Sequence, residues 1–203
     1  MKKKTITLLQ LGLGVVALFL AYQIYAVIME PIEFENLKEQ RFTHVKAQLE
    51  NIREAELAYK TQYGSYTGDL HELIAFIDTG YITITERKDS SFMYYNRVFQ
   101  KDMNKDTTIV RIIGKQPVRG TIDAFPKTFD ANSMRLIHGT QTEISLASAK
   151  IDRGGISVDV FEAAAPETVI FADVQERFDQ YISKSYSLQV GSLTEPTISG
   201  NWK

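Results

Sequence analysis

Residues 5–29 read TITLLQLGLGVVALFLAYQIYAVIM, a run without a charge of either sign. A helix of that length reaches roughly 37 Å. A bilayer core of about 30 Å needs ~20 apolar residues, so the run is long enough to span with some tilt. Lys2, Lys3 and Lys4 precede it, and Glu30, Glu33 and Glu35 follow. Positive charge stays on the cytoplasmic side, which places residues 1–4 there as a short tail and residues 30–203 across the membrane. Tyr22 and Tyr25 fall near the outer end, where amphipathic rings favour the headgroup level. A cleaved signal peptide is the competing reading. It has an apolar stretch of only about 7–15 residues before a small-residue cleavage site, and Ile24-Tyr25-Ala26 is a poor site. An uncleaved anchor over 5–29 is therefore the expectation.

Inside this span Gly14, Ala17 and Ala21 are small residues at steps of three and four, on one helix face where another helix can approach closely. Lipid-facing filler is the plainer reading of the same residues. No ionisable group interrupts the span, which removes the usual mark of an ion or proton pathway.

The whole chain has 203 residues, with 23 Lys plus Arg against 25 Asp plus Glu. Setting aside the three N-terminal lysines leaves 20 positive against 25 negative charges. This mildly acidic balance argues against a nucleic-acid partner, which needs a basic face. The absence of Cys excludes disulfides, thiolate metal sites and Cys nucleophiles.

Beyond Pro31 the chain becomes charged and rich in helix formers, and residues 30–64 read as a stalk helix continuing the anchor. Its apolar positions are Phe42, Val45, Leu49, Ile52, Tyr59 and Tyr63, in steps of three and four with Glu56 as the one gap. That is a single helical stripe. Two covers are open to it, the chain's own later residues or a partner helix. Gly64 follows the last periodic residue and suits the left-handed conformation that ends helices. Asp69 with Glu72 reads as a capping pair for a second helix, whose stripe is Leu70, Leu73, Ile74 and Ile77 and which Gly80 closes.

These residues carry a resemblance. A membrane helix running into an amphipathic one, followed by AQLENIREAELAYKTQYGSYTGDLHELIAF, resembles the type II secretion pseudopilins and type IV pilins over roughly the first 80 residues. Their long helix commonly ends in a pattern matched here by Ala55, Tyr59, Gly64, Tyr66, Leu70 and Leu73. In physical terms Gly64 ends the helix, Tyr66 folds back over its last turn, and Leu70 and Leu73 pack the next helix alongside. The resemblance implies a structural subunit of a bacterial envelope or secretion assembly. Such a subunit sits in the inner membrane with its C-terminal domain in the periplasm and meets other envelope proteins through its N-terminal helix. Two features depart from the family: pilins carry a short basic leader ending in Gly before the apolar run and a Glu at the fifth position of the mature helix, whereas here TITLLQL is already apolar before Gly12 and the fifth residues after Gly12 and Gly14 are Ala17 and Phe19.

From Tyr81 the chain turns to short runs rich in β-branched and aromatic residues: YITIT, FMYYNRVF, TTIVRII, TEISLAS, GISVDVF and YSLQV. These predict an antiparallel sheet. Gly154-Gly155 marks a two-residue hairpin, and Ile156, Val158 and Val160 alternate with polar residues as on a strand with one buried face. Between Pro166 and Ser185 the pattern predicts a strand, TVIFA, then a helix carrying Val174, Phe178 and Ile182. Pro117 to Pro126 reads as a long loop. The expected fold class is α+β, with the long amphipathic helix packed on a mainly antiparallel sheet in an extracytoplasmic domain over 65–203.

Catalytic and cofactor signatures are missing. His44, His71 and His138 lie far apart, without a second ligand at metal-site spacing. There is no G-x-S-x-G and no P-loop. Asp102, Asp106, Asp123 and Asp130 lack EF-hand spacing and read as solvated loop charges. Trp202 is either a core residue pinning the tail or an exposed contact. The expectation is a non-enzymatic membrane protein without cofactor or metal, serving as a pilin-like structural subunit. A membrane-tethered module recruiting a soluble partner is the alternative, and an envelope enzyme stands third.

Overall fold

The computed structural model describes residues 2–202, with side chains from Leu11 onward; Met1 of the expected tail 1–4, and Lys203, lie outside the described residues. Helix α1 runs unbroken over Lys2–Tyr63. The expected change from anchor to stalk near residue 30 is therefore a change of surroundings within one rod. Pro31 lies inside α1; it offers no N–H to the carbonyl one turn back, the cause of local bending in long helices. Near the N-terminus this helix is long and apolar enough to cross a membrane, and none of its most apolar eighteen residues is buried by the rest of the chain.

The same helix enters the body at Phe34. Phe34, Phe42, Val45, Leu49, Ile52 and Ala55 are all buried, whereas Tyr63 is exposed. The chain's own later residues thus cover the stripe, and they do so from a turn or more before Phe42. Burying each of these larger side chains stabilises by about 1.5–3 kcal/mol. Helix α2, Leu70–Thr79, buries Leu70, Leu73, Ile74, Phe76 and Ile77 in the same core.

The strands form two antiparallel sheets. In the first, β1, Tyr81–Asn96, pairs only with β2, Lys101–Pro117. In the second, β4, Ile156–Pro166, lies between β3, Ser145–Arg153, and β5, Ser187–Gly191. Arg153 pairs with Ile156 across Gly154 and Gly155, whose φ values of 65° and 83° are the two positive angles a type I′ turn requires. The segment between the sheets is irregular, with a single 3₁₀ turn at Ala131–Met134, but it seats Val118, Phe125, Met134 and Ile137 in the core. The architecture is α+β.

Three local expectations need correction. TVIFA is not a strand: Glu167–Ile170 forms a helical turn, α3, and Ala172–Val174 a 3₁₀ turn. A strand would send Ile170 and Phe171 to opposite faces, whereas the turn lets both reach the core, each fully buried. The helix expected through Val174, Phe178 and Ile182 shrinks to one turn, α4, Gln175–Phe178. On β4, Val160 is buried but Ile156 is exposed, because the turn end of the β3–β4 hairpin projects past the core.

Candidate functional site

The stripe residues Phe42, Val45, Leu49 and Ile52 lie in the core, and a polar junction and two exposed surfaces hold others of the residues predicted from the sequence. The junction lies where α1 turns into α2. Gly64, with φ 85°, donates its N–H to the carbonyl of Lys60 and ends α1. Tyr66 then packs its ring against Phe161 of β4, 4.7 Å between centroids, with the Lys60 ammonium 4.1 Å from its centre. Asp69 accepts the N–H groups of His71 and Glu72. Glu72 does not complete the capping box. Its two oxygens take the hydroxyls of Tyr59 and Thr67, both at 2.8 Å. Burial, with that hydrogen bond second, pushes the Tyr59 phenol up to about 12.

Glu56, the gap in the stripe, is fully buried and faces the same junction. Its Oε2 accepts the backbone N–H of Thr67 at 3.0 Å, while Oε1 has no partner. Desolvation raises its pKa to about 8. A carboxyl on an apolar stripe is thus spent on the turn, where the chain leaves a helix and a backbone donor needs an acceptor.

Lower on α1, residues 167–182 close around the helix as a collar. The ring of Phe34 lies 5.2–5.6 Å from those of Phe171, Phe178 and Tyr181. Arg41 donates to both carboxylate oxygens of Asp173 and to the carbonyl of Ile170. That hydrogen bond holds the Asp173 carboxyl below its usual range. Lys38 pairs with the buried Glu167 at 3.0 Å, and Arg177 pairs with Glu33. Periodicity starting at Phe42 does not reveal Phe34, Lys38 or Arg41. The one available signal is that Phe34 lies two turns before Phe42 on the same face.

The first exposed surface is the apolar part of α1. Gly14, Ala17 and Ala21 lie bare on it, with no other atom near the space a side chain on Gly14 would occupy. The second is the β1–β2 hairpin, an arm fixed at its base where the Gln62 side chain accepts the N–H of Thr83. Beyond Thr85 the arm is a two-stranded ribbon that keeps large apolar side chains in solvent: Phe92, Met93, Tyr95, Val98, Phe99 and Ile112 are all exposed. At its tip Asn96 accepts the N–H groups of Val98 and Phe99, holding a turn that presents Val98 outward, 85% exposed. The sequence marks these residues as strands without showing that nothing covers them.

The remaining candidates are dispersed. His44 and His138 come together as stacked rings, 4.3 Å between centroids, an arrangement in which the ring nitrogens do not converge on one point. Among the described residues no group of three or more His, Asp or Glu is placed to hold a metal ion. Asp102 and Asp106 lie on the arm, and Asp130 caps the 3₁₀ turn at Ala131. Trp202 is half-buried against the core, and Asn201 ties the tail to Ser187 and Gln189 of β5. No family model, curated protein or solved structure matches this chain.

Proposed function

We propose that the chain is a single-pass protein of the bacterial inner membrane, with its N-terminus in the cytoplasm and its α+β body in the periplasm. It serves there as a pilin-like, non-enzymatic structural subunit of an envelope or secretion assembly. One observation carries the reading. A single helix has a bare, uncharged apolar part over residues 11–29 and, from Phe34, forms the centre of the folded body. Exposed apolar surface on that scale calls for lipid or protein around it. Because the helix is continuous and the body is clamped to it by Lys38–Glu167 and Arg41–Asp173, the anchor passes into the body without a linker. That geometry suits a subunit that must meet its neighbours in register.

The alternative, a tethered module recruiting a soluble partner, draws on the exposed arm. Fractionation of cells making the full chain tests the anchor. The protein is expected in the membrane pellet after carbonate washing, with its C-terminus open to protease only once the outer membrane is breached. Recovery of a soluble form trimmed near Ala26 rejects the proposal. Cross-linking in the intact membrane then separates the two roles: a ladder of envelope proteins supports the structural subunit, and one soluble adduct supports the tethered module.

A further inference from the structure

The arm carries a pattern that its exposure alone does not explain. Residues directly opposite in an antiparallel pair share a face, so the register sorts the projecting part of the arm into two sides. One side has Glu86, Lys88, Phe92 and Tyr94 from β1, with Lys101, Met103, Lys105, Ile109 and Arg111 opposite them. The other has Arg87, Asp89, Met93 and Tyr95, with Asp102, Asp106, Val110 and Ile112 opposite. The first side holds four cations and one anion, and the second three anions and one cation. The repeat Lys101-Asp102 and Lys105-Asp106 produces this separation, because positions four apart on a strand share a side and adjacent ones do not. Among the described residues no ion pair involves any residue of the arm, although such pairs are frequent elsewhere in the body. Apart from Glu86 and Arg87 near the base, the charges on each side are of one sign.

Both sides are also apolar, and a two-stranded ribbon with neither face covered is marginally stable in water. We propose that the arm is a self-association surface, on which the basic face of one copy stacks on the acidic face of a second copy. One kind of partner then covers both faces and pairs charges that the single chain leaves unpaired. An anionic bilayer would match the basic face only. The contact is heterologous: each copy retains a free basic face at one end and a free acidic face at the other, so the arrangement propagates as a row or closes as a ring. The proposal deepens the structural-subunit reading and rests on it, since anchored copies meet in two dimensions at high effective concentration and a modest contact suffices.

Charge reversal tests it on the full chain in detergent, with mass measured across a concentration series. Lys101→Glu with Lys105→Glu makes both faces acidic, and Asp102→Lys with Asp106→Lys makes both basic. Each pair of substitutions is expected to weaken association by about tenfold or more, because like charges then meet. Mixing the two variants, or placing all four substitutions in one chain, is expected to restore it. Wild-type association should also weaken as salt is raised through the range where the screening length falls below about 10 Å. Helix content by circular dichroism confirms that each variant folds, which the exposure of all four positions favours. A wild-type chain that stays monomeric at every concentration overturns the proposal. So does a reversed pair that associates like wild type, or a mixture that fails to recover. In the monomeric chain reconstituted into vesicles, shielding of Arg97 at the tip from trypsin by phosphatidylglycerol but not by neutral lipid, lost in the Lys101→Glu, Lys105→Glu variant, would assign the basic face to lipid instead. Membrane fractionation run in parallel separates the two failures. A monomer that still pellets with membranes rejects the arm contact alone, and a soluble chain rejects the anchor on which it rests.

Discussion

Glu56 on α1 and Thr67 in the turn are joined by a single hydrogen bond, the Thr67 N–H donating to Oε2 at 3.0 Å in a fully buried setting. The contact spans the point where the long helix ends and the chain reverses toward α2, so this carboxyl ties the turn back onto the helix it leaves.

A pH dependence follows. Desolvation, reinforced by the nearby Glu72, raises the Glu56 pKa from 4.5 to about 8, against the weaker opposing effect of the Thr67 hydrogen bond. The folded chain therefore holds this proton more tightly than the unfolded chain does. The stability that comes from the difference is whole below about 4.5 and is lost progressively as pH rises to about 8. Asp173 acts in the opposite sense, but only below its ordinary 3.8. Thermal melting in detergent between pH 5 and 8 should show wild type losing stability with rising pH relative to Glu56→Gln, which keeps an acceptor for Thr67 without the charge. Parallel pH profiles for the two proteins would refute the assignment. Glu56→Leu, which leaves the Thr67 donor unpaired, should be less stable than Glu56→Gln by about 1–3 kcal/mol at every pH.

The collar gives a second test. Glu167 is buried, and its charge partner is Lys38, 26% exposed, at 3.0 Å. Neither carboxylate oxygen has a well-aligned hydrogen bond, so the contact is an ion pair held by charge. Lys38→Met should cost about 2–4 kcal/mol in denaturant titrations, because it strands a buried carboxylate. Adding Glu167→Gln should recover a large part of that loss. Additive losses in the double variant would show that the two groups act independently.

Two glycines that both read as helix stops differ in why they are glycine. Gly64 needs its positive φ but has open space around it, whereas Gly80 has an ordinary φ of −75° and no room. A Cβ on Gly80 would lie 2.3 Å from the carbonyl oxygen of Phe76. Gly64→Ala should cost about 1–2 kcal/mol, the ordinary penalty of a left-handed residue with a side chain. Gly80→Ala should cost more, about 2–4 kcal/mol, since backbone or the Phe76 ring must shift. Equal melting temperatures for the two variants would contradict this distinction.

The same contrast explains what could be read in advance. The apolar run over 5–29 is legible because a stretch without charge has few physical solutions, and Gly154-Gly155 because a two-residue turn demands positive φ. Both signals are local. Thr168 to Ala172 carries β-branched and aromatic residues, yet its conformation is settled by distant partners, Arg41 and Lys38 on α1, and by a core that takes both Ile170 and Phe171. Glu56 reads as an interruption, because its partner is a backbone donor eleven residues later in a turn. The arm is legible as strands but not as a surface. In Phe92-Met93-Tyr94-Tyr95 both faces are large and apolar, so alternation cannot show which of them is covered, and here neither is.

The arm also predicts its own dispensability for folding. Beyond Thr85 and Ile112, a directly opposed pair, its side chains are almost all exposed, and only the base, through Ile82 and Thr83, touches the core and α1. Replacing Glu86–Arg111 by Asn-Gly joins that pair through a two-residue turn of the type hairpins favour. The shortened chain should fold with its melting temperature within about 2 °C of wild type, since no buried contact is lost and loop closure becomes cheaper. In the intact chain, trypsin should cut first at Arg97 or Lys101 in the tip, ahead of any site on α1 between Lys38 and Lys60. A fall in melting temperature of about 8 °C or more in the shortened chain would mean that the arm folds back on the body and takes part in its core. Retained stability with lost association would instead separate the arm's role from the fold's, because a segment that adds nothing to the core of its own copy has its contacts elsewhere.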